Sequence, residues 1–309
     1  MKIAYLDQKG WIDLAKCGEE ITGAIVKAVK AGSAIFPLSI IHVAETWKIS
    51  NSKRREKLAS LMVMLSKGYS FLPNVDSIIE MEIRQTVRFR YGLASTDVGK
   101  YVFGKGIGHL VEAVPKIVSR RGTPELPDQI KQELLDLLDS PEALYTILTG
   151  QHKIPRSIQA YDVEATKAME HIRKERSEIK DNKLRRRVEF ARFFRDMIVP
   201  KLAKVLFEMN LPKDPIITAG WSEKDFREFL NSIPTALCLF TLTLERDQQL
   251  QRPIPLNDIY DIWALSLAIP YSNIVVTENM WSSISRQSRL DVLCNTIIVS
   301  TIDELLEHL

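Results

Sequence analysis

Residues 257–281 read NDIYDIWALSLAIPYSNIVVTENMW, and the way this stretch divides decides the fold. From 257 to 269 apolar residues recur at helical spacing, and Asp258 and Asp261 stand three apart, on one helix face. From 273 to 277 the run is short, apolar and rich in β-branched residues, which is how a buried strand reads. Glu278 and Asn279 follow at once, and a further helix is expected over 279–290. Helix, buried strand, helix is the pattern of a parallel sheet, whose neighbouring strands need crossover connections.

The same pattern opens the chain. MKIAYLDQKGWIDL places a strand over 2–6 that ends at Asp7, followed by helical periodicity over 11–31. A second apolar run covers 34–38. Ser39 is a good N-cap for an amphipathic stretch over 40–65. A third strand is expected over 69–72, and Asp76 is expected to cap a helix reaching about 87. After 281 a strand over 296–300 and a helix over 302–308 close the sequence. Between 91 and 252 strand signals vanish and helical patterns take over at 128–138, 140–148, 162–180, 184–209, 222–230 and 236–250. Gly or Pro marks the breaks at 104–108, 122–127, 155 and 212–220. The expected architecture is an α/β domain made of 1–90 and 253–309, a parallel sheet flanked by helices, interrupted by a large all-helical insertion at 91–252.

Composition narrows the function classes. With 45% apolar and 26% charged residues over 309 positions, the chain can bury a sizeable core. No apolar run is long enough to span a bilayer, and the first residues lack the layout of a signal peptide. Three scattered cysteines, Cys17, Cys238 and Cys294, form neither a disulfide framework nor a metal spacing, so a cytoplasmic, reducing location is expected. Zinc motifs and glycine-rich phosphate loops are absent from the sequence. The net charge of +3 neither demands nor excludes nucleic acid.

The acids carry the chemistry. Asp7 and Glu278 each come directly after a strand, Glu45 sits in the apolar segment IIHVAET, and Asp258 and Asp261 share a helix face. A lone carboxylate among apolar neighbours is costly unless paired or metal-bound. Carboxylates gathered from distant segments suit a hard cation such as Mg²⁺ or Mn²⁺. Such an ion activates water and offsets phosphoryl charge, which is the chemistry of phosphodiester hydrolysis. Bland roles stand beside these: Asp7 or Asp258 as helix caps, and His42 as a hydrogen-bonded neighbour of Glu45.

YLDQKGWIDL, LSIIHVAETWK, FLPNVDSIIEMEI and YDIWALSLA followed by NIVVTENMW resemble, in order, the motifs of PIN-domain nucleases. The resemblance covers about 1–90 and 253–305. It implies a PIN-like fold, metal-dependent nuclease activity, and Asp7, Glu45, Asp261 and the Thr277-Glu278-Asn279 turn as the site. Two choices stay open: Asp258 or Asp261 as the third acid, and Glu278 or Asn279 as the last ligand. Lys9 stands where the family has Asn or Ser, and is expected to contact the scissile phosphate or offset the acids.

Residues 171–195 hold ten Lys or Arg against four acids, an excess of six positive charges, with Phe190, Phe193 and Phe194 close by. Arg185, Arg186 and Arg187 are therefore candidates for phosphate contact, against the alternative of a solvated face laced with local ion pairs. The expected partner is nucleic acid, RNA rather than DNA, with the insertion also offering a surface for a protein partner or self-association. Two other functions remain open: a non-catalytic PIN-like binding module, and a nuclease directed at DNA.

Overall fold

The chain opens with β1 (Lys2–Leu6), and Asp7 ends it by capping α1 (Gln8–Leu14), its Oδ1 accepting the Gly10 N–H at 2.6 Å. The computed structural model of the chain describes residues 1–71, 74–111, 127–150, 156–211, 222–249 and 252–309. The expected breaks near 122–127, 155 and 212–220 fall at or within the stretches outside these residues, as does the end of the third strand at Leu72.

The helical run over 11–31 is two helices, because Gly18 restarts the chain as the N-cap of α2 (Glu19–Lys30). After β2 (Ala34–Ile35) the amphipathic stretch again divides, into α3 (Ile40–Trp47) and α4 (Ser52–Ser66). The Asn51 side chain accepts the Arg54 N–H there and starts the second helix. Beyond β3 (Tyr69–Phe71), α5 (Val75–Arg90) is capped by Asn74 rather than Asp76. Then come α6 (Gly99–Val102), β4 (Phe103–Lys105), α7 (Ile107–Leu110), α8 (Asp128–Leu138), α9 (Pro141–Thr149) and α10 (Arg156–Ser177). The pattern over 184–209 is α11 (Asn182–Phe193), a π-helical turn (Phe194–Ile198) and α12 (Val199–Glu208). The helices α13 (Glu223–Asn231), α14 (Pro234–Asp247) and α15 (Leu256–Tyr271) lead to β5 (Ile274–Val276), α16 (Asn279–Gln287), α17 (Leu290–Cys294), β6 (Ile297–Val299) and α18 (Ile302–Glu307).

The sheet is parallel with order β2-β1-β5-β6, Leu6 lying beside Val276 and Ile274 beside Ile297. Past β2, the Leu38 N–H donates to Tyr69 O and the Phe71 N–H to Leu38 O, both at 2.9 Å, so parallel pairing carries on to β3. One strand, β4, lies inside the segment expected to be all-helical and pairs antiparallel with β3. Three residues containing a glycine leave almost no periodic signal. Gly104 is required, since a Cβ there would run into the His109 ring.

Strand alternation sorts the side chains into two cores. Tyr5, Val275 and Ile298 enter one with α5, α12, α14 and α15; Ala4, Leu6, Ile274 and Val276 enter the other with α1, α2, α4 and α9. Helices of the 91–252 segment therefore pack on both faces of the sheet, and most of them share the first core. No helix among the described residues is long and apolar enough to cross a membrane. From β1 the chain crosses to β2 on one side, whereas β5 lies on the other. The carboxyl ends of β1 and β5 flank this change of direction, the place where such sheets bind ligands.

Candidate functional site

Asp7 and the Thr277-Glu278 turn follow the adjacent ends of β1 and β5. Asp7 is buried and both its oxygens are engaged: Oδ1 accepts the Gly10 N–H, and Oδ2 accepts the Glu278 N–H at 2.9 Å. Asp7 is thus a helix cap, as its place before α1 allowed, and it also ties the end of β1 to the end of β5. Gly10 lets this happen, because a Cβ there would come within 3.3 Å of Asp7 Oδ1. Burial pushes the Asp7 carboxyl up to about 6 against the pull of its hydrogen bonds, and the neighbouring Glu278 charge adds to the rise. The Thr277 hydroxyl is buried beside Asp7. It lies close enough to favour the carboxylate, yet it completes no well-aligned hydrogen bond.

Asp261 reaches the same place from α15. Its Oδ2 accepts the Trp281 Nε1–H at 3.0 Å, from a fully buried indole on α16. Burial raises the Asp261 carboxyl to about 7, with Asp7, Glu278 and Asp258 adding to the rise and the indole opposing it. Asp7, Asp261 and Glu45 also act together on the buried Tyr5 hydroxyl, which burial already pushes far above its usual range. Three acids from three distant segments therefore lie within electrostatic reach of one hydroxyl, and Glu278 acts on two of them.

Glu45 on α3 pairs with Lys48 at 2.8 Å, and the Lys48 ammonium lies 5.6 Å from the centre of the Tyr260 ring, next to Asp261. His42 is buried, held near 3 by its burial, and its Nδ1 accepts the Ser39 N–H at 2.9 Å. Its hydrogen bond is with Ser39 and not with Glu45, the neighbour that its sequence position suggested. Lys9 pairs with Asp13 at 2.7 Å and lies within electrostatic reach of Asp7 and Glu278. Both candidates in the last turn are exposed; Glu278, the N-cap of α16, carries a charge that acts on Asp7 and Asp261, and Asn279 is the first residue of that helix.

Asp258 is buried in the first turn of α15, but Pro255 is the N-cap. The carboxylate is taken up by two arginines, Arg246 Nε on Oδ2 and Arg252 Nη2 on Oδ1 at 3.2 Å. This pairing, which no local sequence signal announces, sets it apart from Asp7 and Asp261, whose hydrogen bonds among the described residues come from uncharged groups.

Three of the ten basic residues in this segment, Arg176, Arg186 and Arg187, pair with acids on other helices. Arg186 meets Glu245 at 2.7 Å, Arg187 meets Glu223 at 3.1 Å, and Arg185 donates to Asn182. Asp181 caps α11 through the Lys183 and Leu184 N–H groups. Phe190, Phe193 and Phe194 pack against Phe226 and Phe240 and serve the core. An apolar cavity of about 660 Å³ lined by Leu184, Phe190, Phe194, Leu202 and Phe226 adjoins them, and none of the candidate acids lines it.

The donor set fits a hard divalent cation in kind, since Asp7 and Asp261 offer carboxylate oxygens that pair with no cation among the described residues. Among the described residues, no three His, Cys, Asp or Glu side chains stand close enough together to grip an ion directly. No family model, curated protein or solved structure matches this chain.

Proposed function

We propose that the protein is a PIN-like nuclease that hydrolyses phosphodiester bonds with Mg²⁺ or Mn²⁺, RNA being its preferred substrate. What carries this reading is that the Glu278 N–H ties Asp7 to the end of β5, that Trp281 on the next helix holds Asp261, and that the charges of Asp7 and Glu278 both act on Asp261. Burying like-charged carboxylates side by side lowers stability, and such groups concentrate at functional sites. Asp7 and Asp261 would offer the ion its carboxylate oxygens, and Glu278 and Glu45 would reach it through the waters that Mg²⁺ keeps. Bound there, the ion supplies an activated water and a counter-charge for the phosphoryl oxygens. The chain's own part is to fix the donors: Gly10 and Glu278 N–H hold Asp7, and Trp281 holds Asp261. Lys9 and Lys48 flank the acids and soften their repulsion of a polyanion.

The test is cleavage of a mixed panel of RNA and DNA with Mg²⁺, Mn²⁺ or a chelator. Cleavage of RNA that the chelator stops is expected. Binding without cleavage would identify a non-catalytic binding module, and cleavage confined to DNA would move the substrate assignment.

A further inference from the structure

Arg252 stands where the chain returns from the helical segment to α15. Its side chain is 41% exposed. Nη2 reaches Asp258 Oδ1 at 3.2 Å and Nη1 touches the Met280 sulfur. Met280 follows Glu278 and Asn279, and Glu278 donates its N–H to Asp7. Asp258 lies one turn before Asp261. The guanidinium thus hangs between the first turns of α15 and α16, the two helix starts that flank the acids.

Asp258 does not need this arginine for neutralisation. Arg246, fully buried, already engages its other oxygen and donates through Nη2 to Pro253 O at 2.5 Å. A buried carboxylate is compensated by one such partner with good hydrogen bonds. A half-exposed second pair adds little stability and costs side-chain freedom. With two arginines on one aspartate, one positive charge is left over between the first turns of α15 and α16. Of the nearby lysines, Lys48 is matched by Glu45, whereas Lys9 shares Asp13 with Lys16 and lends its charge as a point rather than a fork. A phosphodiester approaching these acids is repelled unless a cation meets it, and a guanidinium fork suits phosphate oxygens.

We propose that Arg252 is the anchor for a substrate phosphate at this site, and that Asp258 is a positioning residue that aims it rather than a metal ligand. The assignment rests on the nuclease reading above. It predicts that substrate grip and metal dependence separate: Arg252 governs the first, Asp7 and Asp261 the second.

Anisotropy of a short fluorescein-labelled single-stranded RNA, in chelator so that no cleavage intervenes, tests this on the full chain across a range of salt. Arg252→Ala should weaken binding about 10-fold, the effect expected on removing a hydrogen bond to a charged group. Its salt slope should be shallower by roughly 0.7. Arg252→Lys should restore the slope but only part of the affinity, because a point charge cannot fork between Asp258 and phosphate. Should the alanine variant fold poorly, Arg252→Gln keeps the reach without the charge and should weaken binding equally. In cleavage assays KM should rise while the Mg²⁺ requirement stays put. Wild-type affinity and slope in Arg252→Ala or Arg252→Gln, with wild-type protein binding and cleaving RNA, would overturn the role of Arg252 and leave the nuclease reading standing. Wild-type protein that binds no nucleic acid would overturn both.

Discussion

Replacing Asp261 by Asn should stabilise the metal-free protein at pH 8. Burial and three neighbouring acids move this carboxyl from 3.8 to about 7. Between those values it is protonated in the folded protein and ionised in the unfolded chain. The folded state then binds more protons, so stability falls as pH rises from about 4 to about 7 and is level above. At about 1.36 kcal/mol per pH unit, the full displacement amounts to about 4 kcal/mol lost at pH 8. Asparagine keeps an oxygen for the Trp281 N–H and has nothing to ionise. Urea unfolding in chelator should therefore show Asp261→Asn more stable than wild type by about 2–4 kcal/mol at pH 8, with the gap narrowing toward pH 4. Asp7→Asn should gain less, since its carboxyl is raised only to about 6 and the asparagine NH2 cannot accept the second of the two N–H groups that Asp7 holds. Saturating Mg²⁺ should cancel the advantage of both variants, because the wild-type acids then have a cation to face. Equal or lower stability of Asp261→Asn at pH 8, or parallel pH slopes for the two proteins, would refute the reasoning that these acids crowd one site.

Trp281→Phe keeps an aromatic ring in the core and removes the donor to Asp261. The Mg²⁺ concentration giving half of the maximal thermal stabilisation should rise roughly 10–100-fold, as for other groups that orient a metal ligand, and an unchanged midpoint would make Trp281 a packing residue alone. Joint replacement of Arg185, Arg186 and Arg187 by Ala should weaken RNA binding alike for all sequences. The salt slope should flatten by roughly 0.7 for each phosphate that is no longer neutralised. The exposed pairs of Arg186 with Glu245 and Arg187 with Glu223 are weak enough for phosphate to displace. Binding equal to wild type would assign this face to ion pairing within the protein.

What can be read in the sequence is local. Asp7 is legible because an apolar strand ends on it and a helix begins beside it, and β5 because three β-branched residues stand between Asn273 and Thr277. Helix continuity is overread wherever one residue restarts the chain, as Gly18 and Asn51 do, since amphipathic periodicity runs on through a well-placed cap. The strand β4 is too short to register, and its pairing with β3 is a tertiary event. The fate of Asp258 is hidden for the same reason. One of its partners, Arg246, lies on another helix, and the spacing of 12 residues follows no helical or strand period. Trp281 is likewise 20 positions from the carboxylate it holds. The local excess of positive charge over 171–195 is real, but acids from α13 and α14 meet part of it.

The most direct measurement is cleavage of a labelled single-stranded RNA by purified wild-type protein and by Asp7→Asn, each with Mg²⁺, with Mn²⁺ and with chelator. Asp7 accepts one N–H from Gly10 and one from Glu278, and asparagine retains an acceptor oxygen, so the variant should remain folded by circular dichroism. Metal-dependent cleavage by wild type and its absence in folded Asp7→Asn is the expected result. Cleavage by Asp7→Asn at the wild-type rate, or cleavage by wild type that persists in chelator, would contradict a metal centre built on Asp7.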